Sequence, residues 1–130
     1  GVTYRPLTAL MAEADIVSIH LAQTPETIGI IGAAEIGCMK RSAILVNTAR
    51  GAIVDEDALV AALGAGRIKG AGLDVFRTEP LPAGHPLTGL DNVVLTPHVA
   101  ARGVAWDTLG TLFANLDRVM RGEAPTDVIN

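Results

Sequence analysis

An α/β fold with a mostly parallel sheet flanked by helices is what this 130-residue sequence predicts, and three features predict it. Four short runs rich in aliphatic and β-branched residues alternate with stretches of helical periodicity. The runs are apolar throughout rather than at every second residue, as suits strands buried on both faces. Polar residues able to do chemistry follow the runs directly, where the carboxyl edge of a parallel sheet gathers its loops.

The elements follow in order. Leu7 to Ala14 reads as a first helix, starting near Pro6 or Thr8, and Asp15-Ile16-Val17-Ser18-Ile19-His20-Leu21 as the first strand. Ala33 to Met39 is a second helix and Ala43 to Asn47 a second strand. Asp55 can cap the amino end of a helix over Glu56 to Leu63, whose early acids suit the positive end of the helix dipole. Leu59, Ala62 and Leu63 share one face, and Gly64 or Gly66 can stop the turn. Gly70 to Phe76 is a third strand whose glycines would let neighbouring backbone come close, and Val93 to Thr96 is a fourth. A last helix carries Trp106, Leu109, Phe113, Leu116 and Met120 in steps of three and four, one apolar stripe that reads as core rather than a stacking platform. Arg118 and Arg121 suit its negative end, and Gly122 can end it. The Pro/Gly-rich stretch Pro80 to Pro86 reads as a surface loop.

Composition narrows the function. Lys+Arg 10 against Asp+Glu 14 gives a net charge of −4, which argues against a nucleic-acid backbone binder. With 49% hydrophobic and 18% charged residues the chain can fill a core and is not intrinsically disordered. Mean hydropathy is +0.39, yet no unbroken apolar run approaches the ~20 residues of a membrane helix. Cys38 is the one cysteine, so no internal disulfide and no cysteine-based metal cluster is expected. No basic leader followed by an apolar segment is visible, which makes a cytoplasmic setting the expectation. H-E-x-x-H, G-x-S-x-G and Walker A patterns are all absent, as is G-x-G-x-x-G: the two G-x-G spacings, at Gly64 and Gly70, have Lys69 and Val75 in the third glycine position.

Arg50, Glu79 and His98 stand out, with Asp74 as a fourth candidate. A guanidinium at Arg50, between a strand and a helix, can clamp a carboxylate with two parallel hydrogen bonds. An imidazole at His98, stiffened by Pro97, can give or take a proton near neutral pH. A carboxylate at Glu79 could orient that imidazole. Asp74, in an apolar strand, needs a partner. Each has a plainer reading: Arg50 a surface charge, Glu79 a solvated loop acid, His98 a surface or core filler, Asp74 a carboxylate capping backbone amides. His20 reads as a packed, hydrogen-bonded strand residue and His85 as plain loop.

Taken together, Asp15 to Leu21, Thr24-Pro25-Glu26-Thr27, Met39-Lys40, Val46-Asn47-Thr48-Ala49-Arg50-Gly51-Ala52-Ile53-Val54-Asp55, Gly72-Leu73-Asp74-Val75-Phe76, Glu79-Pro80 and Thr96-Pro97-His98-Val99-Ala100 form an ordered set spanning nearly the whole chain. This set resembles the D-isomer-specific 2-hydroxyacid dehydrogenases, which include D-3-phosphoglycerate and glyoxylate/hydroxypyruvate-type enzymes. The resemblance implies a partial Rossmann-like domain over residues 1–130: the second half of an NAD-binding domain, a carboxyl-terminal helix, and a tail, Pro125 to Asn130, leading toward a substrate domain. The glycine-rich loop, the ribose-reading acid and most of the substrate domain are not in this sequence. By the same resemblance Arg50, Glu79 and His98 are catalytic: His98 the acid/base, Glu79 its partner, Arg50 the substrate clamp. Thr24, Thr48, Ala49, Arg50, Asp74, His98 and Ala100 correspond to cofactor-lining positions for NAD or NADP. The implied substrate is a small 2-hydroxy or 2-keto acid, and Glu79 favours it over formate, because formate dehydrogenases of the superfamily typically carry glutamine there. The isolated chain is expected to bind NAD weakly and to be inactive, and an incomplete sheet edge is expected to be covered by homodimerisation. Corepressor-like NAD sensors also resemble the family and keep the same three residues, so a non-enzymatic regulator is the alternative.

Overall fold

In the computed structural model the four apolar runs become β1 (Ile16–Ile19), β2 (Ile44–Asn47), β3 (Gly70–Leu73) and β4 (Val93–Leu95). Residues 1–100, 113–115, 117–124 and 126 are described, in two units, Gly1–His98 and Val99–Asn130. All pairs in the first unit's sheet are parallel, in the order β1-β2-β3-β4. Registers such as Ile19↔Asn47↔Leu73↔Leu95 bring the strand ends level along one edge. Helix α1 (Leu7–Glu13) precedes β1, α2 (Ala33–Cys38) links β1 to β2, and α3 (Glu56–Gly64) links β2 to β3. The crossover from β3 to β4 is made by a 3-10 turn at Pro86–Gly89 instead.

Local signals account for the third helix. The Asp55 carboxylate accepts from the Ala58 amide at 3.1 Å, a cap of about 1 kcal/mol. At the other end Gly66 takes φ +61, its amide donates to the Leu63 carbonyl, and the Arg67 amide donates to that of Ala62. This double closure needs a left-handed residue at the position glycine fills.

The core runs from Met11 on α1 through Val17, Ile19, Leu45 and Leu73 of the sheet to Leu59 and Leu63 on α3. Among the described residues it lies against one sheet face. Ile16 and Val94, on the other face, are 65% and 68% exposed, which corrects the expectation of strands buried on both sides. The strand order explains it: crossovers that always step in the same direction with the same hand put their helices on the same side. The glycines of β3 divide similarly. A Cβ at Gly70 would stand 2.6 Å from the Asn92 carbonyl oxygen, whereas one at Gly72 would meet nothing within 4 Å.

In the second unit, residues 113–115 and 117–120 are helical. The helix stops as expected at Gly122, at φ 76, where the Glu123 amide donates to the Arg118 carbonyl. Arg121 pairs with Asp117 one turn back. Of the apolar stripe, Trp106, Leu109 and Leu116 lie outside the described residues. Phe113 and Met120 are 65% and 86% exposed, so they are not core. A stripe marks a face that can be buried, but burial needs an opposing apolar surface. No helix among the described residues is long and apolar enough to cross a membrane.

Candidate active site

Parallel strands deliver their loops to a common edge, and the loops after β2, β3 and β4 carry the residues singled out from the sequence. After β4 the chain turns at Pro97 and places His98 in the left-handed region at φ 53. Non-glycine residues seldom adopt it, and such strain recurs at functional sites. Two carbonyls hold the turn: the His98 amide donates to Asp74 at 2.9 Å and to Thr96 at 3.1 Å.

The imidazole faces Glu79 of the β3 loop. Its Nδ1 lies 2.8 Å from Glu79 Oε2, with the two side chains 49% and 35% exposed. The other carboxylate oxygen, Oε1, accepts from the Phe76 amide at 2.9 Å. Both Glu79 oxygens are therefore engaged within their own loop and its neighbour. An ionised carboxylate can only accept, so Nδ1 carries the proton and Nε2 is the nitrogen turned away from the pair. An open cavity of about 630 Å³ adjoins the pair, walled by Phe76, Leu81, Leu95 and Pro97.

Glu79 titrates below the 4.5 ordinary for a glutamate, chiefly because of the His98 hydrogen bond and then because of the Phe76 amide. A depressed carboxyl value means that the folded state favours the charged form. Its contribution to stability is complete above the ordinary glutamate range and disappears as pH falls through the lowered value. A pH titration of the side-chain carboxyl carbon by NMR should show a midpoint under 4.5. The shift should shrink in His98→Ala; a midpoint at or above the ordinary value would contradict the pairing.

The β2 loop is fixed by Asn47, a buried amide 1% exposed. Its Nδ2 donates to the Arg50 carbonyl at 3.0 Å and its Oδ1 accepts from the Ala49 amide at 3.1 Å. Thr48 and Arg50 are exposed and Ala49 half-buried. The Arg50 guanidinium donates to the Ala49 carbonyl at 2.6 Å. That contact is with its own loop, not with His98 or Glu79. What brings the loops together is Gly51, where a Cβ would stand 2.0 Å from the Phe76 carbonyl carbon.

Asp74 falls one residue beyond β3, 3% exposed. Its carboxylate accepts from the Thr96 hydroxyl, and its amide donates to the Asn47 carbonyl at 3.0 Å. It therefore ties the ends of β2, β3 and β4. Thr24 sits in a turn closed by Thr27, whose Oγ1 accepts from the Thr24 amide at 2.8 Å and donates to the Ala22 carbonyl at 2.7 Å. Ala100 is the second residue of the second unit and is exposed.

Three polar residues differ from their sequence reading. His20 is hydrogen-bonded, its Nε2 2.9 Å from Ser18 Oγ, but it is exposed rather than packed. His85 is not plain loop: it is 16% exposed and its Nε2 lies 3.4 Å from the buried carboxylate of Glu56. Asn47 escapes the sequence reading, although an amide ending an apolar run signals a buried group in need of partners.

Residues 1–100 match the family model of the D-isomer specific 2-hydroxyacid dehydrogenase, NAD binding domain. The chain is 48% identical over 132 residues to a glyoxylate reductase of Korarchaeum cryptofilum, an alignment covering 100% of this chain and 40% of that protein. A crystal structure from Thermus thermophilus superposes with a TM-score of 0.83 at 48% identity, over 92% of this chain and 39% of the other. A D-isomer specific 2-hydroxyacid dehydrogenase from Xanthobacter autotrophicus, solved with NADPH and MES, gives 0.81 at 41% identity, over 95% and 51%. The chain thus spans about 40% of the length of the curated relative it matches end to end. On a parallel sheet whose carboxyl edge presents the His98–Glu79 pair, this match over residues 1–100 places the chain in the D-isomer specific 2-hydroxyacid dehydrogenase family.

Proposed function

We propose that this chain is the catalytic-edge half of an NAD(P)-binding domain, serving reduction of a small 2-keto acid, or the reverse oxidation of a 2-hydroxy acid. The observation carrying the reading is the His98–Glu79 pair, 2.8 Å apart where the sheet's strands end. In this reading His98, charged, holds a proton on Nε2 and passes it to the keto oxygen, while Glu79 keeps Nδ1 protonated and the ring turned outward. Arg50 binds the substrate carboxylate and draws electron density from the neighbouring carbonyl. For that, its guanidinium must exchange the Ala49 carbonyl for substrate.

The edge suits the nicotinamide end of a dinucleotide. Small side chains at Thr48 and Ala49 leave the backbone approachable, and the Thr24 turn and the Asp74 carboxylate supply polar groups for a carboxamide and a ribose. Bound NAD or NADP would supply the hydride. Ala100 stays with these positions as a proposed cofactor contact by resemblance alone.

The test is a chimera in which this chain replaces the matching stretch of the Korarchaeum cryptofilum glyoxylate reductase. Reduction of glyoxylate, hydroxypyruvate or 3-phosphohydroxypyruvate supports the proposal; a folded chimera that reduces none of them opposes it. The alternative of a non-enzymatic regulator gains nothing from relatives named as reductases and dehydrogenases.

The isolated chain should bind NAD more weakly than micromolar. Its sequence holds no G-x-G-x-x-G, the element that brings a helix amino terminus and close backbone to the pyrophosphate. Calorimetric titration checks this, and micromolar affinity would contradict it. Homodimerisation belongs to the proposal as well, since β1 ends the sheet and carries the exposed Ile16. Light scattering should give twice the chain mass, and a clean monomer would remove the dimer. The proposed setting is the cytoplasm.

A further inference from the structure

We propose that Glu56 and His85 form a positioning pair that sets the Glu79 carboxylate against His98. The inference rests on the reading of His98–Glu79 given above and extends it to residues that touch neither substrate nor cofactor.

Glu56 is the first residue of α3, yet its side chain is only 8% exposed. A carboxylate is taken out of water only where hydrogen bonds replace it. Here Oε2 accepts from the Arg77 amide at 3.0 Å, and Oε1 faces His85 Nε2 at 3.4 Å. His85 Nδ1 in turn accepts from the Leu87 amide at 3.3 Å. With Nδ1 accepting, the ring proton sits on Nε2, the nitrogen 3.4 Å from Glu56 Oε1.

One carboxylate therefore grips both ends of the loop that carries Glu79. The arrangement at its near end is specific. Two consecutive amides are each held by a carboxylate: that of Phe76 by Glu79 itself, that of Arg77 by Glu56. The two amides belong to adjacent peptide units that share the Phe76 Cα, so releasing the Arg77 amide frees the torsions that carry the chain from the Phe76 amide to Glu79. At the far end His85 anchors the chain where it enters the Pro86–Gly89 turn. The Arg77 guanidinium pairs with Asp57 at 2.8 Å between exposed groups and comes within 3.9 Å of Glu56 Oε1, but Asp57 itself holds neither of the two amides.

The readout is the tautomer of His98 in the chain labelled with ¹⁵N, taken at mildly alkaline pH from long-range ¹H–¹⁵N correlations of the rings. A free neutral imidazole favours the proton on Nε2, whereas pairing with Glu79 requires it on Nδ1. The expected result is an Nδ1–H form for His98 and an Nε2–H form for His85. Glu56→Ala should shift His98 toward the free-imidazole distribution. Glu56→Gln, whose amide oxygen can still accept from Arg77 while its NH2 faces the His85 Nε2–H, should restore the Nδ1–H form only in part, to about the level of His85→Ala, and Asp57→Asn should leave it untouched. A role confined to stability would lower the melting temperature of Glu56→Ala without moving the His98 tautomer.

An unchanged His98 in folded Glu56→Ala overturns the proposal, as does an equal change in Asp57→Asn. If Glu56→Ala does not fold, His85→Ala decides, because it keeps the Arg77 tether: a weakened Nδ1–H form supports the pair and an unchanged one overturns it. A wild-type chain without the Nδ1–H form would sink the His98–Glu79 reading, and this inference with it. A wild-type chain that has it, beside a Glu56→Ala that keeps it, sinks this inference alone.

Discussion

His98→Ala in the chimera is expected to lower kcat by about 10²–10⁴-fold, the range of a positioned general acid or base, and to change the KM for the keto acid only a few-fold. The asymmetry follows from the assignment. A proton delivered to a carbonyl oxygen matters only as charge develops there, so its loss raises the barrier without weakening the ground-state complex. Glu79→Gln should cost less than His98→Ala. A glutamine oxygen can still accept from Nδ1 but no longer brings a negative charge to the imidazolium that donates the proton. The steady-state rates of the parent chimera and the two variants settle the ranking. A His98→Ala chimera with undiminished kcat would remove His98 from the chemistry, and a Glu79→Gln as slow as His98→Ala would mean that the pair acts as one unit.

The edge at which these residues stand was legible in the sequence; the contacts that build it were legible only in part. Runs such as Ala43 to Asn47 announce a buried strand through their unbroken apolar character, and parallel order follows from their alternation with helices. Strand ends were less readable. Gly70 to Phe76 reads as one strand, but pairing stops at Leu73. Val75 and Phe76 are buried at 3% and 8% without belonging to the ladder, and hydropathy registers burial rather than pairing. Glu79 and His98 could be nominated because each follows a strand, although their meeting is a tertiary fact. His85 escaped notice for the complementary reason. Between Gly84 and Pro86 it has every local mark of a loop, while its partner Glu56 sits on a helix where an early acid already has an explanation in the dipole. A residue with a sufficient local reason does not advertise a distant one.

Gly51→Ala is expected to destabilise the chain by about 3 kcal/mol or more, well beyond an ordinary glycine replacement in a turn. The reason is contact rather than conformation, since Gly51 is not among the glycines with positive φ. The added Cβ would stand 2.0 Å from the Phe76 carbonyl carbon, 2.1 Å from its oxygen and 2.6 Å from the Arg77 nitrogen. All three are backbone atoms, so no side chain can rotate aside, and carbon atoms settle at about 3.5–4.0 Å. The β2 and β3 loops must part by more than about 1 Å. That motion strains the Phe76 amide that holds Glu79 and the Arg77 amide that Glu56 holds. Urea denaturation of the wild-type and variant chains measures the loss, and a difference under about 0.5 kcal/mol, the scale of an ordinary surface change, would show that the loops are not in register as described. The same change in the chimera should slow turnover with His98 intact. The glycine carries no chemistry of its own, but it sets how closely the guanidinium loop approaches the carboxylate loop.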